Sequence, residues 1–146
     1  MSLEQWVEIR VLRAEPTSSE EIKALIGVVE SRLKDAKVEL ISDDWRFAAA
    51  YNALLTSAII ALRAKGYRVP NQAGHHTRAL ESLEFTIGAD DTLIRKLKNF
   101  ANKRGTATYE VTGAVSPQDL RSAISSAEDL YKKVIEWLQQ NHPELL

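Results

Sequence analysis

Ser42-Asp43-Asp44-Trp45-Arg46-Phe47-Ala48-Ala49-Ala50-Tyr51-Asn52-Ala53-Leu54-Leu55-Thr56-Ser57-Ala58-Ile59-Ile60-Ala61-Leu62-Arg63-Ala64-Lys65-Gly66 is the stretch that decides the fold. It opens on an N-capping serine followed by two aspartates at the positive end of a helix dipole, and it stops at a glycine. Between these ends Trp45, Phe47, Tyr51, Leu54, Leu55, Ile59, Ile60 and Leu62 spread apolar surface nearly all the way round. A helix of that kind sits at the centre of a bundle or is shared with a second subunit, and the second option motivates a symmetric homodimer burying part of it or of the helix that carries Leu93, Leu97 and Phe100. Its polar stripe is Asn52 and Thr56, at i and i+4 on one face.

Helices are legible on both sides of this one. Thr17-Ser18-Ser19-Glu20 fits a capping box. Beyond it Ile22, Leu25, Ile26, Val29 and Leu33 recur on one face. Ahead of Pro16, Trp6, Ile9 and Leu12 suggest a short amphipathic lead-in over residues 1–16. A further helix is expected from about His75 to Ile87, and another carries Leu93, Leu97 and Phe100 on a stripe. The last begins at Ser116-Pro117 and shows Leu120, Ile124, Ala127, Tyr131, Val134 and Leu138 on one face. Strand-like alternation is confined to Val38–Ile41 and Tyr109–Val111, each too short to build a sheet. The prediction is an all-α fold over residues 1–146: one domain, an up-and-down bundle of four to five helices.

Composition narrows the function. At 146 residues, 45% hydrophobic and 27% charged, the chain suits one globular core. With no cysteine, disulfides, thiolate metal sites and cysteine nucleophiles are excluded. No run approaches the roughly 18 consecutive apolar residues of a membrane span, and Glu4 and Glu8 spoil a signal peptide, so a cytoplasmic location without a membrane partner is expected. The net charge of -1 speaks against a globally basic binder of nucleic acid but leaves room for a local patch. Residues 61–80 hold Arg63, Lys65, Arg68 and Arg78 with no acid, and residues 92–109 hold Arg95, Lys96, Lys98, Lys103 and Arg104 with no acid. These windows are either binding patches or ordinary solvated helix faces.

Glycine-rich phosphate loops, nucleophile elbows and paired metal-binding histidines are absent from the sequence. His75 and His76 are adjacent, so on a helix they point about 100° apart and do not jointly grip one ion; no metal and no cofactor is expected. His142 lies past the last helix, where it suits the negative dipole end. The chemically suggestive residue is Arg104, which follows Leu93, Leu97 and Phe100 on the same stripe. A guanidinium there either snorkels to water or meets a partner, an anion or a wet cleft. Asn52 and Thr56 are expected to face that same cleft, the plain alternative being solvent or a backbone group.

Lys103-Arg104 with Tyr109 beyond resembles the terminal motif of the HEPN superfamily, in the branch where R-x-x-x-x-Y replaces an Arg followed by His. Ala50-Tyr51-Asn52-Ala53, Ala64-Lys65-Gly66-Tyr67-Arg68 and Gly74-His75-His76 match the same branch in order and spacing, across roughly residues 42–138. The resemblance implies a dimerising bundle with two Arg motifs in one cleft. Active members are metal-independent endoribonucleases, many of them toxins paired with a minimal nucleotidyltransferase or another antitoxin; others bind nucleotides, nucleic acid or partner proteins without catalysis. Carried onto this chain, it makes Arg104 and Tyr109 the candidate catalytic pair, with Asn52, Thr56, Arg68, His75, His76 and Lys103 as candidate binding residues for RNA or a partner. Two departures weaken catalysis: Tyr109, with an ordinary pKa of roughly 10, stands where a histidine base is usual, and Gly105 follows the arginine, where it is suited to ending the helix. The leading expectation is therefore a binding domain in a toxin–antitoxin or defence setting. An active ribonuclease and a purely structural interaction module are the alternatives.

Overall fold

The computed structural model describes residues 1–146, with every side chain except that of Tyr109. A short helix α1 (Leu3–Glu8) leads through strand β1 (Arg13–Ala14) into α2 (Ser19–Ala36) and then α3 (Asp43–Ala64). Strand β2 (Tyr67–Arg68) follows, then α4 (His75–Glu81), α5 (Leu83–Thr86), α6 (Asp91–Tyr109), α7 (Pro117–Asn141) and a final 3-10 turn, Pro143–Leu145. The fold is an all-α helical bundle.

Its four long helices alternate in direction. Glu21 at the start of α2 pairs with Arg63 at the end of α3, while Ala36 at the end of α2 accepts a bond from Arg46 at the start of α3. These two helices therefore run antiparallel. Phe47, Ala50, Ala107, Val115, Leu120 and Ala123 form one cluster, which joins the start of α3 to the end of α6 and the start of α7. So α6 runs against α3 and α7 runs with it.

The helix starts follow their caps. Ser42 accepts from the Trp45 amide, Asp90 from Leu93, and Ser116 and Asp119 complete a reciprocal capping box ahead of Pro117. The first long helix differs by one residue: Ser18 is the cap, accepting from the Glu21 amide, and Thr17 donates its hydroxyl to the Glu21 carboxylate instead. The same carboxylate also pairs with Arg63 and Arg68. The segment expected as one helix from His75 to Ile87 is broken at Ser82, whose hydroxyl turns back onto the Ala79 carbonyl at 2.6 Å. Gly105 does not end its helix, since α6 continues to Tyr109. Nor do the strands lie where alternation hinted at them. Arg13 and Ala14 pair antiparallel with Arg68 and Tyr67, two residues a side.

Helix α3 is the centre of the bundle, and its apolarity is used within one chain. Phe47, Leu54, Ala58, Ile60 and Ala61 are fully buried against α2, α6 and α7, each large side chain stabilising the fold by about 1.5–3 kcal/mol. Among the described residues α3 is the one helix long and apolar enough to cross a membrane, but most of it is packed inside the bundle. The expectation of a homodimer therefore no longer rests on this helix. What stays exposed is the turn before it and its first residues: Val38, Leu40, Ile41 and Trp45.

The two basic windows are acid-free in sequence but not in space. Arg63, placed by sequence in a basic window, is 2% exposed. Its Nε donates to Glu21 Oε1 at 2.9 Å, Nη1 to the carbonyls of Glu15 and Tyr67 at 2.7 and 3.1 Å, and Nη2 to the Pro16 carbonyl at 2.9 Å. Arg68 joins the same two acids, Glu15 through Nε and Glu21 through Nη2. Lys98 reaches Glu81 at 2.8 Å, and Lys103 lies 3.6 Å from Asp119.

The cluster sets two expectations. Arg63→Met should lower stability by about 3–5 kcal/mol in urea denaturation, because it strips partners from buried carbonyls and from Glu21. Glu21 is held below its ordinary pKa by the Thr17 hydroxyl, with Arg63 and Arg68 adding to it, and Glu15 is held down chiefly by Arg68. Their folded values are depressed, so the stability they lend is present above pH 4.5, the ordinary value, and is lost as the pH falls below it. A melting temperature that is flat across that acid range would contradict this assignment.

Candidate functional site

Three helices meet around Arg104. From α3 come Trp45, Tyr51 and Asn52, from α4 His76, and from α6 Arg104 and Thr108, together lining an open cleft of about 390 Å³. The spacing explains the convergence: Asn52 lies one residue past Tyr51 on α3, and Arg104 lies four past Phe100, whose ring packs edge-on against Phe47 one turn before Tyr51. Because α3 and α6 are antiparallel, the step from Phe100 to Arg104 runs toward the start of α3, and it is the length of the arginine side chain that lets its guanidinium reach Tyr51. The guanidinium carbon sits 5.2 Å from the Tyr51 ring centroid, within range of a cation–π contact. On another side of Tyr51 the His76 ring stands 6.3 Å away, and His75 touches His76 edge-on at 4.3 Å.

Among the described residues, the lining of the cleft includes Arg104 and His76 and no carboxylate, while Asp44 lines the adjoining recess that shares Trp45 and Thr108 with it. Burial pushes the His76 pKa below 6.5, and the charges of His75 and Arg104 push it further in the same direction, so the imidazole is held neutral. The Tyr51 phenol is pushed up by burial, with Arg104 opposing, and stays protonated. Its hydroxyl is buried and finds no hydrogen-bond partner among the described residues.

The expected site residues separate into two groups. Asn52, His76 and Arg104 come together. Thr56, though one turn from Asn52, is buried and does not line the cleft; Ser57, also buried, gives its hydroxyl to the Ala53 carbonyl. The polar stripe on α3 is thus Asn52 alone where it meets the cleft. Arg68 is spent on Glu15 and Glu21, and Lys103 turns toward Ala114 and Asp119 at the start of α7. His75 bonds the Gln72 carbonyl through Nδ1 at 2.8 Å and, with His76, lines a second, smaller pocket of about 90 Å³ beside Arg63 and Arg68. The Tyr109 side chain lies outside the described residues. His142 caps α7, its ring 5.0 Å from Trp137.

Sequence reasoning did not single out Tyr51 or Trp45 as site residues. Both sit in an apolar run and read there as core. Tyr51 is core by burial, whereas Trp45 is 62% exposed at the mouth of the cleft.

Compared with known proteins, the chain matches no protein-family model, no curated protein and no solved structure.

The state of His76 is open to direct measurement. Its folded pKa lies below the unfolded value of 6.5, so the unfolded chain takes up the proton first and stability should fall as the pH drops through that value. Proton NMR of the His76 ring should show a midpoint below 6.5, and His76→Gln should flatten that part of the stability–pH curve. A ring titrating above 6.5 would contradict the desolvated environment described here.

Proposed function

We propose that this chain is a nucleic-acid-binding helical domain of the HEPN type that takes a phosphate of its ligand at Arg104. The observation that carries the reading is the convergence of Arg104, His76 and Asn52, from three helices, on one cleft without a carboxylate. A planar guanidinium suits a phosphate, a neutral imidazole and a carboxamide suit hydroxyl and base edges, and the absence of an acid keeps the local field favourable to an anion. The overall charge of -1 matters little, because phosphate contact depends on the surface that meets it.

The test is binding of a fluorescein-labelled single-stranded RNA across a salt series. Arg104→Met should weaken binding by about 1–3 kcal/mol, the size of a charge-assisted hydrogen bond, and should flatten the salt dependence. Arg104→Lys should recover part of the loss. Unchanged affinity and slope in Arg104→Met would sink the reading.

One observation favours a catalytic second reading. His76 lines the same cleft as Arg104 and is held neutral, and in this reading it accepts a proton from a ribose 2′-OH while Arg104 takes the phosphate. That division gives His76 the role which the resemblance assigns to Tyr109. RNA cleavage in EDTA that is lost in both His76→Gln and Arg104→Met would support it. Intact RNA with the wild-type protein, in the presence of tight binding, leaves the domain a binder.

A further inference from the structure

Trp45 is the largest apolar side chain that the bundle leaves in solvent, 62% exposed in the first turn of α3. It also stands where surface features meet. The Arg104 cleft, a shallow groove along α2 and a third recess beside Thr108 and Thr112 all have Trp45 in their walls. An indole left in water at the mouth of an acid-free cleft is not explained by packing, since α3 buries its other large apolar residues among α2, α6 and α7.

We propose that Trp45 is a base-stacking platform, so that the cleft holds one unstacked nucleotide of a single-stranded nucleic acid. The inference rests on the nucleic-acid reading above and adds to it the residue that decides between single strand and duplex. In this arrangement the base lies on the Trp45 indole at the rim. Asn52, two turns of helix from Trp45 on the same α3 and exposed in the same cleft, meets the base edge with its carboxamide. Arg104 receives the phosphate deeper in, above Tyr51. Three features favour this occupant over an apolar peptide or a second copy of the chain. The cleft carries cationic and hydrogen-bonding groups together with its aromatic rim, its walls hold no acid among the described residues, and its volume of about 390 Å³ is of the order of one nucleotide rather than a helix. A duplex fails the same test, because its bases are already stacked on both faces and present no free ring to the indole.

The experiment compares a fluorescein-labelled oligoadenylate single strand with the same strand annealed to its complement, on the full chain. The single strand is expected to bind more tightly and to quench tryptophan emission. Trp6 is buried and Trp137 half-buried, so the quenched signal should disappear in Trp45→Ala. Trp45→Ala should weaken single-strand binding about tenfold with an unchanged melting temperature, and Trp45→Phe should restore most of it. The salt slope should stay at its wild-type value in Trp45→Ala, whereas Arg104→Met reduces it, because stacking releases no counterions. Wild-type affinity in Trp45→Ala, with Arg104→Met still impaired, overturns the stacking inference and leaves the nucleic-acid reading standing. Equal binding of the duplex also overturns it. Absence of binding to either ligand removes both. If Trp45→Ala instead abolishes a concentration-dependent dimer in light scattering and leaves RNA binding alone, the indole belongs to a self-association face and the proposal fails.

Discussion

The buried guanidinium of Arg63 is the constraint on which the rest of the molecule hangs. Removing such a charge from water is expensive, and the expense is met only because its donors reach the carbonyls of Glu15, Pro16 and Tyr67 and the carboxylate of Glu21. Those partners come from three places in the chain. The bonds therefore fasten the arm before α2, the first turn of α2 and the strand after α3 to one point at the end of α3. The two-residue pairing of Arg13–Ala14 with Tyr67–Arg68 is a consequence of that fastening, since two short strands are not stable alone.

From that point the site is reached in a few steps. The anchored β2 leads through a short loop to Gly74, whose positive φ of 79° turns the chain into α4. The first turn of α4 sets His75 against the smaller pocket and His76 between that pocket and the larger cleft. On the far side, the packing of Phe47 on Phe100 holds α6 against α3, and from there the long Arg104 side chain reaches the Tyr51 ring. Two independent fastenings, one ionic and one aromatic, thus bring His76 and Arg104 to a single opening.

Local chemistry was legible in the residues. Ser42, Ser116 and Pro117 announce their helices because a cap acts on amides only two or three residues away, and the stripes of α2, α6 and α7 follow from helical period. The alternating up-and-down bundle follows in turn from short connections. Long-range pairing was not legible. Arg63 reads as a surface cation until Glu21, 42 residues earlier, is placed beside it, and the acid-free windows lose their meaning for the same reason. Within the site, the i, i+4 spacing of Asn52 and Thr56 correctly gives neighbouring positions, but α3 is surrounded so widely that one turn separates an exposed carboxamide from a buried hydroxyl. Arg104 stood out through its place on the stripe. Its aromatic partner did not, because a tyrosine under a guanidinium and a tyrosine in a core have the same sequence signature.

The central claim is that ligand meets the α3–α4–α6 cleft and not the other basic surface of α6, where Arg95 and Lys96 are exposed. Chemical-shift mapping by nitrogen-15 NMR during titration with single-stranded RNA tests this most directly. The account predicts that the Trp45 indole N–H, the Asn52 side-chain amide and the Arg104 Nε–H move together and saturate at one ligand concentration, while Lys132 and Lys133 on the exposed face of α7 stay still. Shifts confined to Arg95 and Lys96, with the cleft resonances unmoved, would contradict it.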